Sequence, residues 1–381
     1  MLFVSLLLIE SSTIFITAAN SLVFIFFGFV LVFTGMNFFI RNFTSTMPDK
    51  KKSFIGNYLT LSSLALSLLF IGFAAHSLSG NSFILSIENT TLRLWELISE
   101  IFILSGLLVL VGGPPFHFIF FESENEKFNA ITQIMLSVQK GLTLAFLIKY
   151  TLTIAESSFS IVLVWLFTVC GVIYVLWGVL ASITVKRLQK LVHYISIIFV
   201  GIILLILSDL FSPILTEELI NLTLKTAFYG VLVFILSLTF SISSIGVISK
   251  GFKSDEIQIL REVGRYSISQ FFIMVLNVLV MFAAPSSILL VSQKIVFPDF
   301  FSPRMYVTAV ILLLGVVFSL VYLIRLLRSI FFIPVQRSQE FSSPEPAAFI
   351  GSFIALILIV AVVIFMKQFL IFCGLIGINL V

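Results

Sequence analysis

Charge is what this sequence has least of. Asp, Glu, Lys and Arg make up 10% of the 381 residues, hydrophobic residues make up 60%, and the mean hydropathy is +1.20. That balance excludes a soluble globular domain and points to an integral membrane protein. Cysteine is nearly absent too: Cys170 and Cys373 lie far apart within apolar runs, with no His or Cys at ligand spacing. Neither a disulfide framework nor a metal site is indicated, and both read as packing residues. No stretch is both long and polar enough to fold outside a bilayer, so residues 1–381 are expected to form a single transmembrane domain. The first apolar run lacks a basic leader, carries Glu10 in its interior and is followed at once by another run, which favours a retained helix over a cleaved signal. The 44 phenylalanines are spread through nearly every run and carry no functional signal.

What the sequence does have is a series of apolar runs of membrane-crossing length. Broken at charge and turn clusters, they predict an all-α polytopic protein of about eleven helices, at roughly 2–19, 21–40, 54–78, 95–120, 127–150, 160–184, 190–208, 220–249, 266–296, 305–334 and 347–377. The loop charges agree with that count. Connections after even-numbered helices hold Arg41, Lys50, Lys51, Lys52, Lys127, Lys186, Arg187, Lys250, Lys253, Arg261, Arg265, Arg325, Arg328 and Arg337, whereas the other side has Arg93, Lys149, Lys225, Arg304 and Lys367. The positive-inside rule then places the N-terminus and the even-numbered loops on the cytoplasmic or matrix side. A net charge of +4 is thus a topology signal, and nucleic acid is not an expected partner.

A few ionisable residues remain at membrane depth. Lys140 is about thirteen residues into its span, near the midplane at 1.5 Å per residue. A charged lysine there costs about 2.5–3.5 kcal/mol on insertion scales, and such residues usually face protein or a hydrated cavity. An amine taken out of water holds its proton less tightly. Moving one charge through about 100 mV is worth about 2.3 kcal/mol, close to the roughly 2.7 kcal/mol of a hundredfold change in proton affinity. A lysine whose neighbours approach and withdraw could therefore load and unload a proton; the alternative is a static amine, paired across helices or snorkelling. Lys294 has the same two readings, because the helix end at Phe297 and Pro298 brings headgroups within reach. Lys190, in "KRLQKLVHYISI" with His193 and Tyr194 a turn on, reads by itself as part of an interfacial cluster with Lys186 and Arg187. Glu10 divides evenly between the two readings, Glu96 and Glu100 read as interfacial, and His76 as a loop residue. Pro285 lies inside the long ninth run, and "VGGPPFHF" ends or bends the fourth, leaving His117 to relay a proton or to cap the break.

Four stretches, taken in order, resemble the subunit 2 family among the antiporter-like membrane subunits of respiratory NADH:ubiquinone oxidoreductase (complex I). "GGPPFHF" at 112–118 is similar to that family's Gly-x-Ala-Pro-Phe-His-Phe-Trp segment, and "SVQKGLTLAF" at 137–146 to its Gln-Lys segment. "LQKLVHYISIIFVG" at 188–201 resembles Leu-Arg-Lys-x-Leu-Ala-Tyr-Ser-Ser-Ile, and "SLVYLIRLLRSI" at 319–330 the late Tyr-x-Arg-Leu stretch. The resemblance implies inverted helical repeats, roughly 1–184 and 190–334, with two broken helices and a C-terminal helix at 347–377. It implies a proton path in which Lys140 is the pump lysine of the first half, Lys190 the connecting lysine and Lys294 the lysine of the second broken helix. His117, His193, Tyr194 and Glu10 complete the expected proton-transfer set. It further implies that this chain binds no cofactor, with NADH, FMN, iron–sulfur clusters and ubiquinone elsewhere in the complex. Other membrane subunits and the bilayer, cardiolipin included, would be its partners, and the mitochondrial inner membrane its location, with the N-terminus facing the matrix. The sequence departs from the family where its glutamate is expected, at Gly28-Phe29-Val30, and Glu10 is expected to replace it. Ile119 and Ile195 stand where the family has Trp and Ser, and the Pro285-to-Lys294 interval is one residue longer. A scaffold subunit that no longer moves protons, and a free-standing cation/proton antiporter, are the rival readings.

Overall fold

A computed structural model of the chain describes residues 2–19, 21–44, 52–78, 93–117, 130–154, 160–211, 217–252, 256–257, 263, 268–296, 320, 323–328, 346–365, 367–369 and 371. Among the described residues ten α-helices run in chain order: α1 (Leu2–Ala18), α2 (Leu22–Thr44), α3 (Lys52–Leu78), α4 (Arg93–Val111), α5 (Ala130–Ile154), α6 (Ser160–Thr184), α7 (Leu188–Ser208), α8 (Glu217–Phe252), α9 (Ile268–Val296) and α10 (Pro346–Ile364). Residues 323–328 are also helical, and the rest of the expected span 305–334 lies outside the described residues apart from 320. Among the described residues, five helices are long and apolar enough to cross a bilayer, over 22–41, 56–78, 162–184, 188–208 and 220–249. Helix α5 is long enough as well, with 25 residues or about 38 Å, but Gln133, Ser137, Gln139, Lys140 and Thr143 lower its hydropathy.

Helix α7 is the centre of the fold. Its apolar window is 94% buried, against 44% for α6, so α7 has almost no face left for lipid. Helices α6, α8, α9 and α5 pack around it. With hydrophobic side chains also available to lipid, helices gain from close backbone approach, which small residues permit. The antiparallel pairs here use that device. A Cβ on Gly201 would stand 2.9 Å from both the Gly171 carbonyl oxygen and the Val175 nitrogen, and one on Gly178 would stand 2.9 Å from the Tyr194 carbonyl. Gly72 and Gly106 bring α3 and α4 together in the same way, and Gly28 and Gly35 join α2 to α1. Because the obstacle at Gly201 includes backbone atoms that cannot rotate aside, Gly201→Ala is expected to cost about 1–3 kcal/mol. The check is the thermal unfolding midpoint of the membrane-extracted protein, and an unchanged midpoint would remove close α6–α7 packing as a source of stability.

Two breaks were expected from sequence. Helix α4 ends at Val111, earlier than its apolar run suggests, because Gly112 takes a positive φ of 72° and Pro114 and Pro115 follow, joined by a cis peptide bond. The Tyr174 ring of α6 lies over this turn: a Cβ on Gly113 would sit 1.7 Å from it. Helix α9, by contrast, carries Pro285 in its interior and stays helical on both sides. Proline removes a single ladder bond, and buried packing through Ala284 and Ile288 holds the flanking turns in place.

Contacts between connections show which helix ends share a side. The Ile257 amide donates to the Lys186 carbonyl at 2.9 Å, and the backbones of Arg187 and Glu256 form an isolated antiparallel bridge, so the α6–α7 connection meets the chain just beyond α8. Arg325 donates to the carbonyls of Ser182, Ile183 and Val185 at the same end of α6. On the other side, Lys149 is buried within α5 and its ammonium donates to the carbonyls of Thr17 and Ala19 at the end of α1, at 3.1 and 3.0 Å. The basic residues Lys186, Arg187 and Arg325 therefore gather at one end of the helices, as the alternation of loop charge requires.

Candidate functional site

Helix periodicity puts Gln133, Ser137 and Lys140 on one face of α5, and Gln189, His193 and Ser196 on one face of α7. These faces meet across a narrow cavity, with Leu238, Ile242 and Ile245 of α8 as its apolar wall. The space accommodates about one water molecule. Lys140 is 3% exposed, and its ammonium donates to Ser196 Oγ at 3.1 Å. Ser196 in turn donates to the His193 carbonyl at 2.6 Å. From Gln133 to Lys140 the polar lane runs seven residues along α5, about 10 Å.

A second group closes on the lane from the α4 turn. The His193 ring lies within electrostatic reach of Lys140 and His117, and hydrogen-bonds the His117 backbone. The His117 ring contacts Trp177 of α6 at a centroid distance of 5.3 Å and Tyr194 of α7 at 6.1 Å. The early end of α4 therefore has a positional consequence: it drops His117 between α6 and α7 beside the lysine.

Lys140, His117, His193 and Tyr194, four of the residues expected from sequence, thus come together. Lys190 is half-buried on the first turn of α7, next to Gln189 but outside the cavity wall. Lys294 lies on α9, with its side chain outside the described residues. Glu10 is exposed on α1 and does not line the cavity. One sequence reading needs correction: His76 lies in the last turn of α3 and is 7% exposed, so it is a buried helix residue and not a loop residue. Glu96 and Glu100, at the start of α4, are 9% and 2% exposed. Their depth comes from the close α3–α4 packing at Gly72. Sequence reasoning missed Ser196, Gln133, Ser137 and Gln189, and also Gln139, whose Oε1 accepts a 2.7 Å bond from the Tyr58 hydroxyl. The seven-residue spacing of polar side chains on α5 and α7 was the available signal. Among the described residues, no group of three or more His, Cys, Asp or Glu side chains could hold a metal ion.

No family model matches the chain, nor does any curated protein. Solved structures do. A chain of respiratory complex I from Thermus thermophilus with bound aureothin is similar with a TM-score of 0.74 and 15% identity, over 97% of this chain and 79% of that one. A chain of the Mrp complex from Dietzia sp. DQ12-45-1b gives 0.76 and 12%, over 99% and 77%. A chain of the membrane-bound sulfane sulfur reductase, an archaeal respiratory membrane complex, gives 0.80 and 16%, over 98% and 74%. At these identities the likeness is one of fold, and it covers essentially the whole chain.

Proposed function

We propose that this chain is a proton-conducting, antiporter-like subunit of a respiratory membrane complex, in the place of subunit 2 of mitochondrial complex I. The observation that carries the reading is the buried Lys140 ammonium bonded to Ser196 in a polar lane between two membrane helices. An amine at such depth is expensive and calls for a function, and here it has a partner on a second helix and imidazoles within reach. The chain-long fold likeness to subunits of respiratory and Mrp complexes supports the same reading. In it, NADH and quinone chemistry take place elsewhere in the assembly, and helix movements alter the distance between Lys140 and its neighbours. When Ser196 is close the ammonium is stabilised; when it withdraws the proton passes on, with His193 and His117 as acceptors in reach. Lys190 and Lys294 would continue the path.

Blue-native electrophoresis with mass spectrometry tests the assignment directly. The chain should migrate within a large NADH-oxidising complex in mitochondrial inner membranes. Recovery as a free monomer would instead identify an independent antiporter.

Ser196→Ala tests the switch. A hydrogen bond to a charged group is worth about 1.5–3 kcal/mol, so its loss should shift the ammonium-to-amine ratio about tenfold or more towards the amine and lower the protons pumped per NADH. Ser196→Thr keeps the hydroxyl and should preserve the ratio. Equal ratios in all three proteins would mean that Ser196 only packs.

A further inference from the structure

Glu10 is the sole ionisable residue of α1 and takes no part in the Lys140 lane. It stands eight residues from either end of the helix, about 12 Å of rise. Packing on α2 fixes its depth. A Cβ on Gly35 would meet Ser5, Leu8 and Ile9, and one on Gly28 would meet Phe15 and Ile16, so Glu10 falls at a level between those two glycines. They bracket the middle of the 22–41 apolar window of α2. The carboxyl is therefore near mid-membrane, where two methylenes cannot carry it to either surface. Yet Glu10 is exposed on the outside of the helix bundle. The neighbouring hydroxyls of Ser11 and Thr13 donate to the backbone carbonyls of Leu8 and of Glu10 itself, at 3.1 and 2.6 Å. The Lys149 ammonium is bonded to the Thr17 and Ala19 carbonyls, about 10 Å or more further along α1. Among the described residues no hydrogen bond or ion pair reaches the carboxyl group.

A carboxylate at this depth belongs in a protein interior beside a partner of opposite charge, and acyl chains supply none. We propose that the face of α1 carrying Leu7, Glu10, Ile14 and Thr17 packs against a transmembrane helix of another subunit, which places a lysine or arginine against the Glu10 carboxylate. The spacing fits a helix as the occupant. Successive members of this face are three, four and three residues apart, the interval of a seam between two membrane helices that cross at about 20°. Leu7 and Ile14, on either side of Glu10, are 47% and 64% exposed. The Thr17 hydroxyl donates to the Thr13 carbonyl at 2.6 Å, so the far end of the seam asks nothing polar of its neighbour. A second copy of this chain joined through the same face would bring another carboxylate and no cation, because α1 contains no Lys, Arg or His. That the partner belongs to a respiratory complex rests on the proposed function above; the need for a cation at Glu10 does not.

The test is a photo-activated cross-linking residue at position 14, in the complex assembled in native membranes. The expected adduct is with a second subunit, through an apolar run that contains a lysine or arginine. An adduct to lipid, to a second copy of this chain or to a segment without a basic residue would overturn the proposal. Glu10→Leu gives the energetic counterpart. It leaves the partner's charge unpaired and should raise the loss of the chain from the complex in detergent about tenfold or more, with the unfolding midpoint of the extracted chain unchanged. Retention equal to that of the parent would mean that Glu10 faces lipid. Recovery of the chain as a free monomer would end both this inference and the proposed function, whereas a lipid adduct from a chain that migrates within the complex would end this inference alone. Normal pumping by a Lys140 variant would end the transport reading and leave the adduct in place.

Discussion

Lys140→Met in the assembled complex is expected to abolish the share of proton pumping that the proposed function assigns to this chain, with NADH oxidation and assembly maintained. Methionine approximates the volume of the lysine stem and needs no partner, so the cavity between α5, α7 and α8 stays filled. Lys140→Ala should lose the same protons and some stability besides, because it leaves a void. The decisive comparison is Lys140→Arg. A structural amine that only holds α5 to α7 through Ser196 would be replaced well by a guanidinium, which keeps the charge and supplies more donors. A proton carrier would not be, because arginine does not release its proton in proteins. Arg and Met variants should therefore fail alike in protons pumped per NADH oxidised, measured in vesicles holding the assembled complex. Full pumping by Lys140→Met would contradict the assignment, and pumping restored by Arg alone would reduce Lys140 to a structural tie. The scaffold reading makes the opposite forecast: no Lys140 variant should change the ratio.

Lys140 was legible in the sequence because a charge in the middle of an apolar run has few inexpensive explanations. The wall facing it was not. Ser196, Gln133 and Gln189 are uncharged, cost little at any depth and gain meaning only when the mutual rotation of α5 and α7 is known. The same limit explains Glu10. Its depth in the first run could be read, but α1 is apolar around its whole circumference, so nothing in its pattern marks the face that turns inward; the side chain is exposed. Glu96 and Glu100 show the same limit from the other side. Their place near the start of a span could be read, but not that α3 closes over α4 at Gly72 and buries them. Helix bounds followed hydropathy where the chain is regular, as with the apolar window of α8 at 220–249. They failed at α4, where the backbone conformation of Gly112 ends the helix before its apolar run is exhausted.

Arg325→Leu is expected to be the most damaging of the loop-end substitutions, at about 2–4 kcal/mol. The last carbonyls of a helix have no partner within it, and at the end of α6 one guanidinium supplies them: Arg325 donates to Ser182 O at 3.2 Å, to Val185 O at 2.5 Å and to Ile183 O. Hydrogen bonds to a charged group are worth about 1.5–3 kcal/mol each, but they share one side chain, and water at the membrane surface can recover part of the loss. That sets the range below the sum. Arg325→Lys retains the charge with a single point of donation and should recover about half, because an ammonium cannot address three carbonyls with a planar fork. The unfolding midpoint of the extracted protein measures both. The same contacts fix topology: residue 325 must lie on the side of the membrane where α6 ends and α7 begins. Cysteines introduced at 186 and at 328 should therefore react with an impermeant thiol reagent from the same side. Labelling from opposite sides, or an Arg325→Leu protein as stable as its parent, would mean that 323–328 does not pack on α6, and the alternation of basic loops would lose its strongest structural support.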